Sequence, residues 1–190
     1  SGITLDSAGN IYVSDHGTSQ QVKVFSPTGK PLLTIGHAGA PAARKYDPLH
    51  MNNPQGLAID SQKRLWVAEN DFLPKRVSVW HLDGTFVKAF YGPGKYGGGG
   101  TLDYQDKTRF YYADEERGTL EFTLDWAKGT FALSDVLYRT TPQSLPLAFR
   151  SAAPETPIYL GGRRYFTNCY NSDPTNGKGT VFLFSESNGV

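Results

Sequence analysis

Four places in this 190-residue chain carry oxygen donors of the kind a hard cation prefers: Asp15-His16, Glu69-Asn70-Asp71, Asp114-Glu115-Glu116 and Asn168. Carboxylate and amide oxygens suit calcium, and Asp15, Glu69, Asp71, Asp114 and Asn168 are candidate ligands if the chain brings them toward a common axis. Acidic side chains at such places also cap strand ends by accepting from nearby backbone amides. Both readings stand until the elements that carry these residues are placed.

Other reactive types are less organised. His16, His37, His50 and His81 lack any close zinc-ligand spacing such as His-x-x-x-His. The glycines at 97–100 precede residues that read as a strand, whereas a phosphate cradle needs a helix N-terminus there. Cys169 has no base beside it and reads as a packing residue, and a single cysteine excludes an intrachain disulfide. Tyr46, Phe72 and Tyr96 lie in loops near Arg44, Lys45 and Lys75, a mixture suited to contact with a ligand or a protein. Trp66 and Trp80 fall in strands and are expected to pack between repeated units, and Arg163-Arg164 sits at a turn-to-strand junction.

What positions these residues is a repeat. Gly2-Ile-Thr-Leu-Asp6 returns as Gly56-Leu-Ala-Ile-Asp60, and Asp15 returns as Glu69 at the same spacing. Within the first copy, alternating apolar residues predict strands at 3–5, 11–13, 22–25 and 32–35, separated by turns rich in Asp, Gly, Asn and Pro. The second copy predicts strands at 57–59, 64–68, 77–80 and 86–90. A looser third gives 101–103, 109–113, 118–124 and 131–139, and a fourth gives 158–160, 163–167 and 181–184 without an outer strand. Four antiparallel strands with short turns form a meander whose apolar face must pack on copies of itself. The fold class is therefore all-β, with units at 2–36, 56–92, 100–139 and 157–190.

In such a meander the loop after strand two and the link to the next unit share one face. That face collects the long links 36–54, 92–100 and 140–157 and all the strand-two acids, so binding is expected there. The expected ligand-binding set is Asp15, His16, Tyr46, Glu69, Asn70, Asp71, Phe72, Tyr96, Asp114, Glu115 and Asn168. His16, His37 and His50 fall on the same face and His81 on the other.

The motifs Gly-Asn-Ile-Tyr-Val-Ser-Asp15, Val22-Lys-Val-Phe25 and Asn53-Pro-Gln-Gly56 resemble those of the NHL-repeat family of β-propellers. The likeness is close over residues 2–36 and 53–92 and looser beyond. It implies four-stranded blades, about four of them present and the last incomplete, expected to belong to a six-bladed ring in a longer polypeptide, with closure as a four-bladed ring the alternative. It also implies one of two roles. One is a recognition module for a protein, peptide or glycan. The other is a metal-dependent lyase or lactonase with an axial calcium, or with a histidine-bound zinc like that of the amidating lyases.

A net charge of +1 and a pI near 7.8 offer no electrostatic footprint for nucleic acid. No apolar run approaches the roughly 18 residues that a membrane helix needs. Few lysines and one cysteine beside many aromatics, Gly and Asn suit a bacterial exported protein. The recognition module is the expected function.

Overall fold

The computed structural model describes residues 1–42, 44–70, 74–92, 100–114, 118–139, 157–168 and 180–182. Among these residues every regular element is a strand. They are β1 (Ile3–Leu5), β2 (Ile11–Asp15), β3 (Gln21–Phe25), β4 (Pro31–Ile35), β5 (Arg44–Lys45), β6 (Pro54–Ile59), β7 (Arg64–Glu69) and β8 (Arg76–His81). There follow β9 (Phe86–Tyr91), β10 (Gly100–Leu102), β11 (Arg109–Asp114), β12 (Gly118–Asp125), β13 (Thr130–Arg139), β14 (Ile158–Leu160), β15 (Arg163–Asn168) and β16 (Thr180–Phe182). They form antiparallel meanders in the order β1-β2-β3-β4, β6-β7-β8-β9, β10-β11-β12-β13 and β14-β15-β16, the construction of β-propeller blades. Among the described residues no helix is long and apolar enough to cross a membrane.

The chain divides into two compact units, the first comprising 1–41 and 47–92, the second 42–46 and 93–190. In the first, strict alternation on β2 and β3 turns Tyr12, Val22 and Val24 inward, and β7 and β8 supply Leu65, Val67 and Trp80. Ile35 and Met51 complete this core, all of it essentially sealed from water. Burying each such side chain stabilises by about 1.5–3 kcal/mol before entropy is counted. Trp80 packs in this core as expected. Trp66 instead stacks on Phe90 of its own blade, centroids 5.7 Å apart and planes 9° apart, because its strand position points to the opposite face of the sheet.

The aspartate that follows the first strand in the first three blades has a structural task. Asp60 Oδ1 accepts from the amides of Gln62 and Arg64, closing the turn, while Oδ2 accepts from Trp66 Nε1 at 2.8 Å. Asp6 closes its turn on Ala8 and Asn10 and accepts from the Tyr12 hydroxyl at 3.3 Å. Asp103 does the same with Gln105, Asp106 and Tyr111. Each carboxylate thus staples a tight turn to an aromatic on the second strand.

In the second unit, Asp103 also accepts from the Tyr159 hydroxyl. Arg164 donates to Glu121 at 2.6 Å and to the Tyr111 hydroxyl at 2.8 Å. The arginine at the turn-to-strand junction is thereby spent on blade-to-blade cohesion. The link 36–54, expected as loop, contributes β5, which pairs with β13 through Lys45↔Asp135 and Arg44↔Val136. A two-residue cationic strand has no apolar alternation, so only its non-local partner reveals it.

Candidate functional site

Strand two of each blade runs further than its apolar pattern suggests, so Asp15 and Glu69 are the last residues of β2 and β7. Each faces the first residue of the next strand, Gln21 and Arg76 respectively. The equivalent acids lie in opposite environments, Glu69 on the face of buried Leu65 and Val67 and Asp15 on that of half-buried Ile11 and Val13. Asp15 stays part-exposed, accepting from Ser19 Oγ at 2.7 Å and the Gly17 amide at 2.9 Å and pairing with Lys23 at 2.6 Å. Lys23, Ser19 and the Gly17 amide hold its carboxyl well below the usual range.

Glu69 is buried. Oε1 accepts from Arg76 Nε at 2.8 Å and from Ser78 Oγ at 2.6 Å, and Oε2 accepts from the Asn52 amide at 2.7 Å. Burial pushes its carboxyl above the ordinary value, against the pull of Arg76, Ser78 and Asn52. Arg76 in turn donates to the His50 carbonyl at 2.8 Å. The pair therefore grips the link at two points, residues 50 and 52.

The other expected site residues are dispersed. Asn70 is exposed, its amide donating to the Asn53 carbonyl at 3.0 Å. His16 is exposed, with its carbonyl taken by Gln20. Tyr46, expected as an exposed loop aromatic, is buried, because its amide donates to the Ser134 carbonyl beside the β5–β13 pairing and draws it in. Asp114 and Asn168 end β11 and β15 in the second unit. Asp71, Phe72, Tyr96 and Glu115 lie outside the described residues, as do Cys169 and the glycines at 97–99.

Two shallow clefts open beside the strand-two ends of the first unit. One, of about 380 Å³, is lined by Gln55, Asn70, Lys75, Phe90 and Tyr91 with the Glu69–Arg76 pair at its wall. The other, of about 360 Å³, lies at the corresponding end of the first blade beside Asp15, His16 and Lys23.

A separate cluster forms within the link. His37 Nδ1 donates to Asp47 Oδ2 at 2.8 Å, and His50 Nε2 lies 3.6 Å from the same oxygen. The rings meet edge to face with centroids 5.4 Å apart. Against its partial burial, the Leu49 amide and His37 hold the Asp47 carboxyl below its ordinary value. Two of the histidines singled out in the sequence thus come together. His16 and His81 are not part of the cluster, and the third member, Asp47, was missed. The signal was there as Asp47-x-x-His50, a spacing that a search for paired histidines overlooks.

No protein-family model matches this chain, and no curated protein does. Solved structures that resemble it include hydrazine synthase from Kuenenia stuttgartiensis, at 14% identity over 92% of this chain and 45% of that one, TM-score 0.37. A nidogen/laminin complex aligns at 15% identity over 88% of this chain and 71% of that one, TM-score 0.35. Streptogramin B lyase aligns at 12% identity over 96% and 67%, TM-score 0.27. This chain spans about half the length of the hydrazine synthase chain it resembles. Enzymes and a protein complex stand side by side among these likenesses, and at such scores none assigns an activity or partner to this chain.

Proposed function

We propose that this chain is part of an NHL-type propeller that recognises a protein, peptide or glycan through the face carrying the strand-two ends and the long links. One observation carries the reading: beside the larger cleft the carboxylate best placed to do chemistry, Glu69, is neutralised by Arg76 and holds the link in place. The described lining of the cleft includes the amide residues Gln55 and Asn70, Lys75, and the rings of Phe90 and Tyr91. Amides, a cation and aromatic faces suit contact with mixed polar and apolar surface, the composition of a contact site.

The test is binding of the purified chain to a defined peptide library and a glycan array. It is repeated with a Gln55→Ala, Asn70→Ala, Lys75→Ala variant. Ligands bound by the unaltered chain and lost in the variant would support the proposal. Binding that survives in the variant, or none to either library, would overturn it. Lactone hydrolysis dependent on calcium would move the metal-dependent enzyme ahead.

A further inference from the structure

We infer that His37, Asp47 and His50 form a site for a divalent transition metal, zinc being the ion their donors fit. This does not rest on the recognition reading, because it concerns a different group of residues.

Each residue offers one donor atom, the three lying within 4.8 Å of one another, and His37 Nδ1 and His50 Nε2 both approach Asp47 Oδ2. Zinc bonds of 2.0–2.2 Å in a tetrahedron place neighbouring donors about 3.3 Å apart. The measured separations of 2.8 and 3.6 Å fall on either side of that value. Two imidazoles and one carboxylate are a zinc-type set, whereas calcium prefers oxygen throughout.

His50 adds a third donor to the His37–Asp47 pair. Its Nδ1 donates to the Gly39 carbonyl at 2.9 Å, which in the neutral ring leaves Nε2 as a bare lone pair. That lone pair faces a carboxylate oxygen at 3.6 Å, beyond hydrogen-bond reach. In that form a cation seated between the two atoms would bond both. The arrangement is also the second-shell pattern of metal-binding histidines, one nitrogen tied to a carbonyl so that the other is free to ligate. Asp47 is braced in the same way, with Oδ1 accepting from the Leu49 amide at 2.9 Å and Oδ2 turned toward both rings.

The backbone beneath is held firmly. Residues 37 and 50 form a parallel β-bridge, the His37 amide donates to the Leu49 carbonyl at 2.8 Å, and the Arg76–Glu69 pair holds residues 50 and 52. Gly36 has φ of +91°, and a Cβ there would come 3.1 Å from the Leu49 carbonyl, so the chain passes closely enough to set His37 against its partners. The side chains of His37, Asp47 and His50 remain 54%, 40% and 27% exposed, so an ion can enter and keep a position open to water. Three protein ligands with one open position is the coordination of zinc sites that activate water or accept a further ligand.

The test uses the full chain, stripped with chelator and dialysed, titrated with zinc chloride by calorimetry. One equivalent should bind, weakened roughly tenfold or more by His50→Ala and by Asp47→Asn and unchanged by His81→Ala. Cobalt(II) added to the unaltered chain should give the visible bands of a four- or five-coordinate ion, a readout that needs no variant to fold. A featureless cobalt spectrum, zinc binding that survives His37→Ala/His50→Ala, or calcium bound in preference to zinc would each overturn the assignment.

Discussion

Arg76 and Glu69 form an ion pair at 2.8 Å with both side chains wholly sealed from water. Through the Asn52 amide and the His50 carbonyl, that pair anchors the link on which the histidine–aspartate cluster stands. The acid that occupies the same repeat position in the first blade, Asp15, pairs with Lys23 at the surface instead.

Equivalent positions should therefore differ sharply in cost. Glu69→Ala leaves a buried guanidinium without its carboxylate, which destabilises by about 3–5 kcal/mol. For Asp15→Ala the lost ion pair accounts for only about 0–1 kcal/mol, since exposed pairs contribute little. Denaturant unfolding of both variants measures the contrast, and equal losses would contradict it.

Met51 lies fully buried in the core of the first unit and is carried there by the link. Met51→Ala should cost about 2–5 kcal/mol from lost burial and the cavity left behind. The midpoint of denaturant unfolding reads it directly, and a loss below this range would show that the link does not plug the core.

Gly36→Ala places a side chain where φ is +91°. The left-handed backbone costs an L-residue about 1–2 kcal/mol, before the close approach to Leu49 is counted. The same variant should weaken zinc binding, because His37 can no longer sit against Leu49. An Ala variant as stable as the parent and unchanged in zinc affinity would show the approach to be unimportant.

Acid should erode stability in a defined window. Asp15, Asp60 and Asp103 have folded values below the ordinary 3.8, and Asp106 is drawn down to about 2. Groups depressed on folding stabilise above their unfolded value and lose that contribution as pH falls through the folded one. The contribution is therefore complete above about pH 5 and fades from about pH 4 toward 2. Glu69, raised by burial, runs the other way and offsets part of the loss. Melting temperature followed from pH 6 to 2 should fall, and Asp60→Asn should flatten the fall by removing one depressed carboxyl. A profile unchanged by Asp60→Asn would remove the turn staple from this account.

Most of the strand plan was legible because Ile, Val, Tyr and Phe alternate with polar residues between Gly- and Asp-marked turns. Strand ends were less legible, since Asp15 and Glu69 are polar and carry no periodic signal. With β7 extended to Glu69, its cross-strand pairing with Arg76 could have been read from the hairpin register. Tyr46 was misplaced because its burial depends on β13, some 90 residues away along the chain. The turns at Asp6 and Asp60 were legible from their residue types, whereas the bond from each carboxylate to Tyr12 or Trp66 was not, because it depends on how the second strand lies beside the turn.

The pairing of β5 with β13 has a consequence for how the protein is made. Lys45 leaves the ribosome about 90 residues ahead of Asp135, its partner. At about 5–20 residues per second it waits several seconds or more without its strand partner, while the flanking segments on either side already have their own unit to join. A gene divided after residue 92 would therefore put β5 on a different fragment from its partner and leave β13 with an open edge.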